Sequence, residues 1–174
     1  MNHPLDIFKY CPKCGSPDLE EHNFKSKHCP NCGFTYYQNP SAATAAFILN
    51  NKNELLVVRR GKEPSKGTLD LPGGFVDNGE SGEQGIIREI REETGLEVSQ
   101  VKYLFSIPNI YRYSGMDINT LDMFYVCHVD GNITVKAADD AEACFWVPLR
   151  EVYVERFGLR SIRQAVHTFL QRNC

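Results

Sequence analysis

After Pro40 the apolar and polar positions settle into the periods of strands and helices at ordinary lengths. Residues 42–49 and 55–60 read as two strands flanking Asn50-Asn51-Lys52-Asn53, a turn by composition, which predicts a hairpin. A flexible link from Gly61 to Gly67 leads into Thr68-Leu69-Asp70-Leu71-Pro72-Gly73-Gly74. The period then changes. Ser81 and Gln84 have capping-box spacing, so a helix begins at Ser81, and it stops at Gly95, which has no Cβ to oppose a left-handed cap. Ile86, Ile87 and Ile90 fall on one arc of this helix and Glu89, Glu92 and Glu93 on another; one side packs and the other is free for chemistry. Strands are predicted at 98–107, 121–129, 133–135 and 143–147, with Asp130-Gly131 turning one hairpin. A last helix carries Leu159, Ile162, Val166, Phe169 and Leu170 at helical spacing, a core stripe to which no chemistry is assigned. The class is α/β, with helices on both sides of a mixed sheet.

The three glutamates change the picture. At i, i+3 and i+4 they lie within roughly 100° of arc, and each like-charge pair costs a helix about 0.2–0.5 kcal/mol. They also occupy the last turns before Gly95, where the helix dipole disfavours anions. Stability alone would place arginine or lysine there; a divalent cation explains the choice.

The N-terminal segment has a different logic. Cys11-Pro-Lys-Cys14-Gly and Cys29-Pro-Asn-Cys32-Gly are two CxxC knuckles separated by fourteen residues, a zinc signal. Each following glycine lets the chain turn back so that backbone N–H groups can face the thiolates. The alternative is a pair of disulfides in a secreted domain, which the start MNHPLDIFKY, without basic n-region or apolar h-region, does not favour. Residues 8–38 are too few to build a core without a metal, so they form a zinc ribbon closed by Phe34-Thr35-Tyr36-Tyr37, with Gln38-Asn39-Pro40 as hinge and residues 41–174 as the second domain. His22 and His28 are surface residues, because four cysteines complete a tetrahedral site. Cys127 and Cys144 lie in apolar runs and read as core.

Composition narrows the function classes. A net charge of −3 argues against coating nucleic acid through a broad basic surface, and no apolar run approaches the ~20 residues that span a bilayer. The expectation is a cytoplasmic protein that meets phosphates through bound metal and has no membrane partner.

Gly74, five residues, Glu80, seven residues, Arg88-Glu89-Ile90, one residue, Glu92-Glu93, one residue, then Gly95-Leu96 fills every position of the Nudix box. The chain therefore resembles a Nudix hydrolase, and the resemblance implies an α/β/α sandwich. It also implies magnesium or manganese held by Glu92 and Glu93, with Glu89 as ligand or base and the carbonyl of Gly74 as backbone ligand. Arg88 would orient the cluster by holding Glu80 or a neighbouring glutamate. Six residues ahead of Trp146-Val147-Pro148, where the family's zinc-containing enzymes often have a glutamate at the metal site, this chain has Asp140, with Glu142 two residues on; either is an extra ligand, the general base, or part of an acidic loop in solvent.

A four-cysteine ribbon ending in a tyrosine pair and a proline, followed by this box, is similar to the NADH pyrophosphatase branch. That branch carries Ser-Gln-Pro-Trp-Pro-Phe-Pro-x-Ser after the box, and this chain has Ser106-Ile107-Pro108-Asn109-Ile110-Tyr111-Arg112-Tyr113-Ser114, without the tryptophan. The resemblance implies a pyrophosphatase acting on the internal diphosphate of NADH, NAD or ADP-ribose and releasing AMP. Ser106, Tyr111, Arg112 and Tyr113 are the expected substrate contacts, the tyrosines stacking on adenine and Arg112 meeting a phosphate. Two alternatives stay open: an enzyme removing nucleotide caps from RNA, gripping it through Lys13, Phe24, Lys25 and Lys27, which Glu20 and Glu21 offset, and a nucleotide-sensing regulator without turnover. The ribbon would stabilise the chain or form a homodimer.

Overall fold

The structure is a computed structural model and describes residues 3–130, 135 and 141–173. The chain divides into two compact units, Met1–Pro40 and Ser41–Cys174. In the first, β1 (Glu20–Asn23), β2 (Ser26–His28) and β3 (Thr35–Tyr37) form a three-stranded antiparallel sheet. The two knuckles have the same turn. Cys11 N–H donates to the Ser16 carbonyl and Gly15 N–H to the Cys11 carbonyl, both at 2.8 Å; Cys29 and Gly33 repeat the pair at 2.8 and 2.9 Å. Gly15 and Gly33 take φ of 74° and 71°, the left-handed region in which a side chain would be strained. Lys27 is not the nucleic-acid contact that its sequence position suggested: it is 6% exposed and lies 3.5 Å from Asp6.

In the second unit a mixed sheet carries a helix on each face. β4 (Ser41–Asn50) runs parallel to β8 (Met116–Val129) over its whole length, from Ser41↔Thr120 to Asn50↔Val129. β7 (Lys102–Tyr113) pairs antiparallel with β8 at the sheet's end, and β5 (Glu54–Arg60) pairs along its length with β9 (Ala141–Pro148). The period-2 alternation of β4 then sorts the core. Ala45, Phe47 and Leu49 face helix α2 (Arg160–Asn173), where Phe169 stacks on Phe47 at 4.0 Å. Ala46 and Ile48 face helix α1 (Gly82–Thr94), whose Ile86 and Ile90 are fully buried; each such burial stabilises by about 1.5–3 kcal/mol. α1 begins with the predicted capping box between Ser81 and Gln84, and Gly95 closes it at φ 71°.

Three strands differ from expectation, and the one predicted at 121–129 begins five residues earlier, at Met116. The run predicted at 98–107 is displaced to 102–113, and it forms a hairpin with β8 through Ser114 and Gly115, both at positive φ. Pro108 sits within it without cost because β7 is an edge strand, where a missing N–H is tolerated. Of the strand predicted at 133–135 only Val135 is among the described residues, as is Asp130 but not Gly131 of the turn before it.

The feature that shapes the site is a parting of β4 and β5. The two are paired only at Leu49↔Leu55. Beyond that point the chain re-enters between them: β6 (Leu69–Asp70) bonds to β5, and the following segment bonds to β4. Ala46 N–H donates to the Pro72 carbonyl at 2.9 Å, Thr44 N–H to the Gly74 carbonyl at 2.8 Å, and Val76 N–H to the Ala42 carbonyl at 3.1 Å. A Cβ on Gly73 would collide with the Thr44 carbonyl and the Ala45 backbone, so only glycine fits this insertion.

Candidate functional site

Glu89, Glu92 and Glu93 leave the last turns of α1 for three different environments. Glu93 is 8% exposed and accepts the Gly73 N–H at 3.0 Å, which ties the helix to the inserted segment. Glu89 and Glu92 both accept from one nitrogen of Arg88, at 2.8 and 3.0 Å. Arg88 does more than the sequence suggested. It also binds Glu80 through two bonds of 2.9 and 3.0 Å and donates to the Phe75 carbonyl at 2.9 Å. These bonds, led by the pair with Glu80, raise the Arg88 pKa against the opposing effect of burial, and they hold the Glu80 carboxyl below its usual range. One guanidinium thus bonds three carboxylates, lies 3.7 Å from a fourth, Asp77, and fixes where two of the helix glutamates point.

Arg88 gathers Glu89 and Glu92 at one nitrogen, and Gly73 anchors Glu93. The glutamate oxygens suit a hard cation, and there is room. A Cβ on Gly74 would stand 2.5 Å from the Glu89 carboxylate, so the carboxylate occupies space that only glycine leaves open. The Gly74 carbonyl itself is turned into the sheet, accepting from Thr44 N–H at 2.8 Å and from its hydroxyl at 3.3 Å. Both acceptor positions are engaged, and service as a backbone ligand would need the Thr44 hydroxyl to turn away.

Where β4 and β5 part, a cavity of about 500 Å³ opens. Glu89 and Glu93 line one side of it, and Tyr111 and Tyr113 another. Strand alternation separates the four expected substrate contacts on β7. Tyr111 and Tyr113 share the cavity face with Asn109, whereas Ser106 is exposed on the opposite face and Arg112 pairs there with Asp117 at 3.1 Å. Ser106 and Arg112 are therefore not brought to the cavity. Phe75, which sequence reasoning missed, meets the Tyr111 ring edge to face at 5.8 Å. Arg60, also missed, donates to Asp70 at 2.5 Å, to the Tyr111 hydroxyl at 3.3 Å and to the Pro64 carbonyl at 2.7 Å. Burial pushes the Asp70 carboxyl up and Arg60 pulls it back, with a net rise. The available signal was a charged residue inside an apolar run, Leu69-Asp70-Leu71 and Leu121-Asp122-Met123.

Asp140 lies outside the described residues. Glu142 is exposed near the start of β9 and does not line the cavity, but alternation puts it on the same face as Cys144 and Trp146. Cys144 and Trp146 pack against the cluster that holds Ile86 and Ile90, so that face of β9 looks toward α1; burial first, and the Glu93 charge second, push the Cys144 thiol up to about 12.

The second cluster is in the N-terminal unit. The sulfurs of Cys11, Cys14, Cys29 and Cys32 all lie within 4.8 Å of one another, with Cys11–Cys32 at 3.7 Å and Cys14–Cys29 at 3.8 Å. A tetrahedron with Zn–S of about 2.3 Å has edges of ~3.8 Å, so the thiols fit zinc as they stand. The Ser16 N–H lowers the Cys14 thiol to about 6, aided by its sulfur neighbours. The Phe34 N–H acts likewise on Cys32, but burial and the same neighbours outweigh it and push that thiol up to about 12.

The family model for the NUDIX domain matches residues 39–168. An ADP-ribose pyrophosphatase of Methanocaldococcus jannaschii is 35% identical over 113 residues, 63% of this chain and 62% of that one. An NAD-capped RNA hydrolase, NudC, of Pseudomonas aeruginosa is 29% identical over 141 residues, 81% of this chain; the chain spans about half of that protein's length, 48%. Among solved structures, a NUDIX hydrolase from Nitrosomonas europaea superposes with a TM-score of 0.73 at 21% identity, over 95% of this chain and 92% of that one. Nearly the whole of the second unit lies within the matched region, with the box helix, the inserted segment and the cavity inside it, and the chain belongs to the NUDIX domain family.

Proposed function

We propose that this chain is a divalent-metal-dependent pyrophosphohydrolase that cleaves the internal diphosphate of an ADP-ribose or NAD-type substrate to AMP and a second monophosphate. The observation that carries it is one cavity bordered by the box carboxylates Glu89 and Glu93 and by the aromatic pair Phe75 and Tyr111. Carboxylates suit the charged end of such a substrate through a cation, and aromatic faces suit a base. Glu89, Glu92 and Glu93 would hold magnesium or manganese, which supplies charge neutralisation on the phosphate oxygens and an activated water. Arg88 keeps these carboxylates oriented, and the buried bond from Gly73 keeps Glu93 in place. Glu142, on the β9 face that packs toward α1, would take the proton of the attacking water. Four cysteines leave a zinc no open position, so the ribbon metal is structural.

The activities for which these relatives are named, on ADP-ribose and on NAD-capped RNA, support this substrate class. Capped RNA is kept as a second reading because the ribbon exposes Phe24 and Tyr10. The deciding measurement is kcat/KM for NADH, NAD, ADP-ribose, capped RNA and the nucleoside triphosphates, each in magnesium and manganese. AMP release from the diphosphates should dominate; a triphosphate preferred by tenfold or more refutes the substrate class.

Tyr111→Ala is expected to raise KM with kcat little changed, by roughly 1–3 kcal/mol if a base stacks on the ring. Tyr113 is more exposed, and its loss should matter less. Equal KM for Tyr111→Ala and wild type would place the base elsewhere.

A further inference from the structure

Asp122 is a carboxylate that the diphosphate chemistry does not use. It lies in β8, is 8% exposed and lines the cavity that Glu89 and Glu93 border. Three neutral donors reach it: Asn109 Nδ2 at 3.1 Å, the Thr120 hydroxyl at 2.6 Å and the Ser161 hydroxyl at 2.5 Å. They come from β7, β8 and the first turn of α2, so the carboxylate is fixed from three directions. Asp70, in the same cavity, has the Arg60 guanidinium; among the described residues Asp122 has no cationic partner. A buried carboxylate without a cation is costly to keep.

Its bonding capacity is also unfilled. A carboxylate accepts at about four positions, and the protein occupies three. Because Asn109 commits its amide nitrogen to Asp122, its Oδ1 is a second acceptor beside the first. This region of the cavity therefore presents acceptors, between the aliphatic side chains of Ala43, Ala45 and Ile162. A flat or compact group that is apolar on its faces and carries a hydrogen-bond donor on its edge is the complement.

We propose that Asp122, positioned by Asn109, Thr120 and Ser161, determines specificity in this cavity by accepting a hydrogen bond from an N–H or O–H donor on the nucleoside half of the substrate. The proposal rests on the pyrophosphohydrolase reading only in taking a nucleoside as the occupant. Two groups have the required chemistry, the exocyclic amino group of the base and the ribose diol.

Titration calorimetry of the full chain distinguishes them with three probes: AMP, purine riboside 5′-monophosphate, which lacks the amino group, and 2′,3′-dideoxyadenosine 5′-monophosphate, which lacks the diol. Wild type should bind one of the two analogues at least tenfold more weakly than AMP. Asp122→Asn, which keeps the shape but replaces an acceptor with a donor, should bind AMP at least tenfold more weakly and lose that discrimination. Should Asp122→Asn not fold, Asn109→Ala, which removes one positioning donor, should narrow the same discrimination at least threefold. No measurable AMP binding, a wild type that separates neither analogue by tenfold, or a variant that keeps the full discrimination overturns the proposal. AMP release from ADP-ribose is scored separately. Discrimination without turnover sinks the pyrophosphohydrolase reading alone, and turnover without discrimination sinks this one alone.

Discussion

Glu93→Gln should fold and melt like wild type yet lose at least ~100-fold in kcat, about 2.7 kcal/mol of transition-state stabilisation. The substitution is close to isosteric. The amide oxygen of glutamine can still accept the Gly73 N–H that Glu93 accepts at 3.0 Å, so the tie between α1 and the inserted segment survives. What goes is a negative charge at the end of a helix already crowded with Glu89 and Glu92, where relief of like-charge repulsion favours the folded chain. Metal-free stability should therefore hold or rise. A cation, by contrast, loses a hard oxygen ligand. Thermal melts with and without magnesium, beside steady-state rates, test both halves; more than about a tenth of wild-type kcat retained would remove Glu93 from the metal site.

Cys29→Ser should release the zinc and unfold the N-terminal unit. The Cys29 sulfur is wholly buried, 3.8 Å from Cys14, and the short strands β1, β2 and β3 bury too little to stand alone. Zinc in comparable peptides carries roughly 10–16 kcal/mol of apparent binding free energy, nearly all of it folding free energy. Metal analysis of wild type should find near-stoichiometric zinc that survives mild EDTA, while a magnesium-type site empties. In Cys29→Ser the zinc should be gone, and amide exchange between Cys11 and Tyr37 should lose its protection. Zinc-free wild type with two disulfides, or a variant with undiminished protection, contradicts the assignment.

The residues of α1 were legible because its signals are local. A capping box, a glycine stop and an arc of isoleucines fall within one short stretch, and no distant pairing competes with them. The cysteine knuckles are local in the same sense. The cavity is not: Arg60, Asp70, Asn109 and Asp122 come from β5, β6, β7 and β8, and only the sheet order places them together. The shifted register of β7 shows the same limit. Its alternation decides that Tyr111 faces inward and Arg112 outward, and a motif match read without strand geometry treats both as contacts. Asn109 stands where the resembling branch has tryptophan; the chain alone shows the loss, and the sheet shows that its amide serves Asp122. Lys27 was misplaced for a related reason, since its partner Asp6 lies far away in sequence.

The parting of β4 and β5 also separates two kinds of freedom. On the proposed reading, the carboxylates that would serve the diphosphate sit on α1, which Glu93 ties to a backbone pinned to β4 where Gly73 tolerates no side chain. The groups that would meet the rest of the ligand sit on β7 and β8, whose cavity-facing positions lie apart from the backbone segment that carries Gly73. On that reading a single scaffold would be retuned toward new leaving groups by editing Tyr111 or the Asn109–Asp122 pair, with the carboxylates of α1 left in place.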